Sequence, residues 1–117
     1  MELSPPEEEI QKLLTFVSEH EASDLHLKVG YPPYVRIGGH LRKLQLPDLP
    51  DATYIDGMFK PMVPNDRWRD FEKKGSVDFS TAHSTGDRFR INLFRSRGEI
   101  HAAIRRVQAK ISNFNDL

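Results

Sequence analysis

The spacing of apolar residues along the chain changes from a helical to an extended period near residue 22. Before this point, an i, i+3, i+4, i+7 stripe predicts an amphipathic helix over about residues 5–20, with a capping box in Ser4-Pro5-Pro6-Glu7. After it, apolar and polar residues alternate over 25–29, which predicts a half-buried strand. Gly38-Gly39 then separates two more alternating segments, and this arrangement predicts a tight hairpin.

The second half of the chain alternates between short helices and strands. Segments 51–59 and 65–74 have helical spacing, and Gly75 suits a helix end. Period two then returns in three segments, 77–81, 88–93 and 100–104. At Phe94-Arg95 the alternation breaks, which predicts a bulge or a strand end. The order of elements predicts an α+β fold, with a mostly antiparallel sheet of about six strands covered on one face by an N-terminal helix and two short helices.

The composition excludes several chemistries. A chain of 117 residues and 13.5 kDa is one domain or a piece of a larger protein. It has no cysteine, so disulfides, a thiol nucleophile and cysteine-bound metals are excluded. It has no apolar run long enough to span a bilayer, and we expect a soluble, cytoplasmic chain. None of the five histidines has metal-site spacing, so no metal is expected; for Asp24 and His26, which share a strand face, we expect a structural hydrogen bond.

The zero net charge hides an asymmetry between the two ends. Residues 1–24 have a net charge of −6, whereas residues 88–117 have a net charge of +5 and contain six of the ten arginines. Arg88, Arg90 and Asn92 fall on one face of a strand, and Arg105 falls in the next strand. The face could simply be solvated and paired with acids. The local acids are too few to pair every arginine, so the alternative is an anionic partner, either nucleic acid or a phosphate held elsewhere in an assembly.

The chain has no loop that could cradle the phosphates of a nucleotide by itself. There is no G-x-x-x-x-G-K-[ST] motif, and no serine lies in a nucleophile elbow. We therefore expect no catalytic residue and no enzymatic activity in this fragment.

Two ordered motifs carry a family resemblance over roughly residues 10–117. Ala22-Ser23-Asp24-Leu25-His26-Leu27 with the following Gly30–Gly39 resembles the A-S-D-L-H-L…G-x-P-P-x-x-R-x-x-G opening of the PilT-like ATPases, the retraction motors of type IV pili. Arg88–Phe94 with Arg97-Gly98 is similar to the R-F-R-x-N-x-F…R-G segment of that family. Ile104–Val107 aligns with its F-R-x-I.

The resemblance implies a PAS-like N-terminal domain over residues 1–110, with 111–117 beginning a linker to a missing C-terminal ATPase domain. It implies that Arg88, Arg90 and Arg105 point into the nucleotide cleft of a homohexameric motor. ATP and Mg would be cofactors of the full-length parent, and neither is expected to bind the fragment tightly.

Three functions follow as hypotheses. The first is a non-catalytic domain of a type IV pilus retraction ATPase, whose partners are its own ATPase domain, neighbouring subunits and the inner-membrane platform protein of the pilus, with no nucleic acid expected. Such a motor would work in the cytoplasm at the inner-membrane base of the pilus machine. The alternatives are a nucleic-acid-binding module that uses an arginine-rich sheet face, and a structural interaction domain whose arginines pair with neighbouring subunits.

Overall fold

The computed structural model describes residues 2–107 of the chain. The elements, in chain order, are α1 (Pro6–Glu19), β1 (Asp24–Lys28), β2 (Tyr34–Ile37), β3 (His40–Lys43), α2 (Ala52–Phe59) with a 3₁₀ turn (Lys60–Met62), α3 (Asn65–Lys74), β4 (Ser76–Ala82), β5 (Arg88–Ser96) and β6 (Glu99–Val107). The predicted boundary at residue 110 and the predicted linker, 111–117, lie outside the described residues.

The six strands of residues 2–107 form one sheet, in the order β3-β2-β1-β6-β5-β4, and every neighbouring pair is antiparallel. β1 and β6, the first and last strands of the described residues, therefore pair at the centre, which joins the two halves of the domain into one unit. The predicted α+β class, with a six-stranded antiparallel sheet and three helices, is confirmed.

One face of the sheet is covered by the helices and holds the core. The apolar stripe of α1 is buried there, together with apolar residues of α2 and α3. Phe89, Ile91 and Leu93 are at most 1% exposed, as their alternation predicts. Burial of each such side chain contributes about 1.5–3 kcal/mol, so period two in β5 determines which face receives the helices.

Short signals in the sequence fix the connections between these elements. Gly38 and Gly39 have φ values of +57° and +83°, a conformation that side chains with a Cβ rarely adopt, and they form the predicted hairpin turn. Asp51 caps α2, because its carboxylate accepts a hydrogen bond from the Tyr54 amide at 2.9 Å. Gly75 ends α3 in the left-handed conformation, with φ +89°.

The start of α1 differs from the predicted capping box. Pro5 is the N-cap residue and makes no side-chain cap bond. Ser4 instead donates its backbone amide to Glu9 Oε1 at 3.0 Å, and Glu9 is buried. Glu7 was the predicted partner, but two consecutive prolines move the helix start by one residue and bring Glu9 into reach.

The predicted break at Phe94-Arg95 was also wrong. β5 continues to Ser96 in register with β6, and Arg95 simply lies on the covered face. The charge is accommodated there because Asp56 accepts a hydrogen bond from Arg95 at 3.0 Å, and the guanidinium lies 4.8 Å from the centre of the Phe71 ring. A charged residue at an inward position therefore indicated a local ion pair instead of a bulge.

The loop between β4 and β5 is attached to α1 through His83. Its Nε2 lies 2.8 Å from Thr15 Oγ1, and its ring meets Phe89 edge to face at 5.9 Å. Burial lowers the pKa of His83, and the nearby Asp87 charge opposes this by raising it. In the described residues, no helix is long and apolar enough to cross a membrane.

Candidate functional site

The sheet face opposite the helices, here called the open face, carries all three predicted site residues, Arg88, Arg90 and Arg105. Along β5, the side chains of Arg88, Arg90 and Asn92 alternate with the buried apolar residues and so share this face. Arg105 lies on the same face of β6. The predicted common face of Arg88, Arg90 and Asn92, and the predicted position of Arg105 in the next strand, are therefore confirmed.

Arg90 and Arg105 lie directly opposite each other across the β5–β6 pair. Side chains at such positions begin about 5 Å apart, and two like charges there repel each other. Arg88 lies two residues along β5 and pairs in register with Val107. Within residues 2–107, no salt bridge joins Arg88 or Arg90 to a carboxylate. The open face therefore has a concentration of positive charge in which, within the described part of the chain, Arg88 and Arg90 have no ion-pair partner and Arg105 has one, Asp24.

Asp24 lies on the central strand β1, beside Arg105 and on the side away from Arg90. Its Oδ1 is 3.4 Å from Arg105 Nε, and its Oδ2 is 3.4 Å from Arg36 Nε. Ser23 Oγ donates a hydrogen bond to the same carboxylate at 2.9 Å. Asp24 thus makes the kind of cross-strand contact expected from the sequence, and in addition it is an ion-pair partner. The neighbouring His26 is exposed on the open face, in register with Tyr34 and Ala103.

The other three arginines of residues 88–107 do not belong to this surface. Arg106 lies on the covered face, where its Nε donates to the Ala22 carbonyl at 2.8 Å and its guanidinium pairs with Asp87 at 3.6 Å. Arg95 pairs with Asp56 on the same face. Arg97 lies in the β5–β6 turn with a positive φ of 55°. The alternation of side chains along a strand separates Arg95 and Arg106 from the open-face arginines, because residues an odd number of positions apart on one strand point to opposite faces.

A partly apolar groove of about 590 Å³ lies on the open face, and Asn92, two residues along β5 from Arg90, is among the residues that line it. Tyr31, Leu41 and Phe94 line it and are each about half exposed. The groove was not expected from the sequence, although the parity of β5 places Phe94 on the face of Arg90. The described part of the chain holds no group of three histidine or acidic residues that could bind a metal ion.

Comparison with solved structures defines the class of protein to which this fold corresponds. A crystal structure of the pilus retraction motor PilT with bound ADP matches 92% of this chain and 32% of its own, with a TM-score of 0.78 and 34% identity. The ATPase DotB of Legionella pneumophila matches 97% of this chain and 32% of its own, with a TM-score of 0.76 and 15% identity, which shows a common fold alone. The fold is that of the N-terminal domain of PilT.

Two pilus proteins of Pseudomonas aeruginosa are similar to this chain in sequence. The type IV pilus retraction ATPase PilT is 31% identical over 109 residues, covering 93% of this chain and 31% of the relative. The type IV pilus ATPase PilU is 26% identical over the same length, covering 93% of this chain and 28% of the relative. No family model matches the chain. The chain thus spans about a third of the curated relatives it matches, and the resemblance to PilT-like ATPases is confirmed.

Proposed function

We propose that this chain is the non-catalytic N-terminal domain of a hexameric type IV pilus ATPase, and that Arg88, Arg90 and Arg105 contact the nucleotide. The single observation that carries the proposal is the Arg90–Arg105 pair, opposed across β5 and β6, in which Arg105 has one salt bridge, to Asp24, and Arg90 has none within residues 2–107. The likeness to PilT supports it, since a solved structure of that motor contains ADP. Binding of a polyphosphate here would replace repulsion between guanidinium groups by charge-assisted hydrogen bonds.

Arginine suits this role for a geometric reason. Its planar fork can donate two parallel hydrogen bonds to one phosphate, and it stays charged at every physiological pH. Phosphoryl transfer is promoted mainly by positioning and by cations around the transferring group. When the arginines are on one domain and the main phosphate site is on another, their contact depends on how the domains are placed. Hydrolysis would then be coupled to domain movement, which is what a motor requires.

The rest of the proposal concerns the parent protein. Residues 1–110 would form the domain, and 111–117 would begin the linker to an ATPase domain that holds ATP and Mg. The domain would contact its own ATPase domain and neighbouring subunits of the homohexamer. The motor would act in the cytoplasm, at the inner-membrane base of the pilus machine, on the platform protein of the pilus. The fragment itself would neither hydrolyse ATP nor bind ATP or Mg tightly.

The test is ATPase turnover of the full-length protein with Arg90→Ala or Arg105→Ala. We expect a loss on the order of 10³-fold, the effect of removing an arginine that stabilises phosphoryl transfer. Lysine at either position should restore activity only in part, because it keeps the charge and loses the fork. Arg69→Ala, which removes an exposed arginine from α3, is the matched control and should leave turnover unchanged. Near-normal turnover in both open-face alanine variants would contradict the proposal.

A second candidate is a nucleic-acid-binding module. The observation in its favour is the presence of Tyr31 and Phe94 in a groove on the same sheet face as the arginines, since sheet-based RNA readers stack bases on such aromatic rings. Titration of single-stranded RNA into the chain at several salt concentrations distinguishes the two functions. Micromolar binding that weakens steeply with salt would favour this candidate. The first proposal expects no such binding.

A further inference from the structure

We infer that Asp24 is a positioning residue, which orients Arg105 for an incoming phosphate without occupying the end of the guanidinium that binds it. This inference rests on the proposed function of Arg105. The carboxylate lies on β1, directly beside Arg105 in the β1–β6 register. Asp24 is 14% exposed, whereas Arg105 is 72% exposed, so the acid is the fixed partner and the arginine is the accessible one.

The contact uses the inner nitrogen of the guanidinium. Asp24 Oδ1 lies 3.4 Å from Arg105 Nε, and this is the salt bridge that joins the two residues. The two terminal nitrogens of Arg105 are thereby left to donate to another anion. The opposite carboxylate oxygen is engaged by Arg36 Nε at 3.4 Å and by Ser23 Oγ at 2.9 Å, so the acid is held from both sides.

The order of charges across the sheet explains why an anion would bind next to Arg105. Register places Arg36, Asp24, Arg105 and Arg90 side by side on β2, β1, β6 and β5. The signs in this row are plus, minus, plus and plus. The carboxylate therefore compensates the charges on its own side, while the Arg105–Arg90 end has no salt bridge to any other acid within residues 2–107; Asp78, on the same face, accepts a hydrogen bond from Asn92 instead. A phosphate at that end would restore alternation, with Arg105 held between two anions.

Asp24→Asn is the variant that tests this role, because it removes the charge with little change of shape. In the full-length ATPase we expect kcat to fall by up to about fivefold, the size of one exposed ion pair. KM for ATP should change less, since the main phosphate site would lie elsewhere. Asp24→Glu, which keeps the charge, should recover part of the loss. Asp78→Asn is the control: Asp78 lies on the same face, accepts a hydrogen bond from Asn92 at 3.0 Å, and has no arginine salt bridge within residues 2–107.

A double-mutant cycle separates this inference from the proposed function. Single-turnover hydrolysis is measured for Asp24→Asn, Arg105→Ala and the combination. If Asp24 acts through Arg105, the Asn substitution lowers the rate in the parent and has no further effect once Arg105 is Ala. Unchanged turnover in Arg105→Ala would refute the proposed function itself. Two outcomes with a slow Arg105→Ala variant would refute only the positioning role. In the first, Asp24→Asn hydrolyses ATP at the normal rate. In the second, Asp24→Asn lowers the rate by the same factor whether residue 105 is Arg or Ala.

A direct readout of orientation is the Arg105 Nε–H signal in the NMR spectrum of this 117-residue chain. Asp24→Asn should shift and broaden that signal, and it should leave the Arg95 signal in place because Arg95 pairs with Asp56 on the covered face. An unchanged Arg105 signal would overturn the inference. So would an Asp78→Asn variant that slows turnover as much as Asp24→Asn, since the effect would then be one of overall charge.

Discussion

Replacing Arg95 by Ala should destabilise the fold far more than replacing Arg90, although both residues lie on β5. Arg95 points toward the helices, where its guanidinium donates to Asp56 at 3.0 Å and lies 4.8 Å from the centre of the buried Phe71 ring. Arg90 points to the open face and has no salt bridge in the described part of the chain. The two substitutions therefore remove the same side chain from opposite faces of one strand.

The magnitude follows from the contacts that are lost. The Arg95–Asp56 pair is largely shielded from water, with side chains 22% and 26% exposed, so its charged hydrogen bond is worth about 1.5–3 kcal/mol. The cation–π contact adds about 0.5–2 kcal/mol. Burial raises the pKa of Asp56, and Arg95 lowers it again, so removing Arg95 leaves a poorly solvated carboxylate without its main counter-charge. We expect a loss of about 2–4 kcal/mol for Arg95→Ala and of at most about 0.5 kcal/mol for Arg90→Ala.

Urea denaturation of this chain measures both values. Arg95→Met separates the contribution of packing from that of charge, because it keeps packing over Phe71 and removes the charge. Its loss of stability should lie between zero and that of Arg95→Ala. A Cm for Arg95→Ala equal to that of Arg90→Ala would refute the assignment of Arg95 to the covered face. A large loss in Arg90→Ala would show that the open-face arginine is structural.

Three further outcomes can be measured on the same chain. Asp51→Ala should lower the free energy of unfolding by about 1 kcal/mol, because α2 loses its N-cap bond; a smaller change than in an Asp48→Ala control would contradict this. Burial lowers the pKa of His83 in the folded state below its value of about 6.5 in the unfolded chain. The stability that neutral His83 contributes is therefore complete above pH of about 6.5, and it is lost as the pH falls through the lowered pKa. His83→Gln should flatten that acid-side slope in denaturation curves, and an equally steep slope would assign it to other groups. The chain alone should release no phosphate from ATP, and turnover that survives replacement of the open-face arginines would reveal an unrecognised site.

Alternation of apolar residues accounts for most of what the sequence predicts about the fold. It placed Phe89, Ile91 and Leu93 in the core, and the same parity placed Arg88 and Arg90 on the open face. Local turn and cap chemistry predicted the hairpin at Gly38-Gly39. These signals are short-range, which is why a single sequence reveals them.

The features that the sequence did not predict depend on contacts between distant residues. The sequence alone predicts a break at Arg95, because the partner of its charge, Asp56, is 39 positions away along the chain. The pairing of Asp24 with Arg105 joins residues 81 positions apart and follows from the adjacency of β1 and β6, which period alone does not specify. The apolar groove was missed for the same reason, since it gathers side chains from several strands and from a turn.

The most direct measurement of the central claim is a structure of the full-length protein with a non-hydrolysable ATP analogue and Mg. The proposal predicts that guanidinium nitrogens of Arg90 and Arg105 lie about 2.7–2.9 Å from phosphate oxygens in at least one subunit state. If the open face is turned away from the nucleotide in every subunit, with both arginines facing solvent or another protein surface, the account of these residues is contradicted.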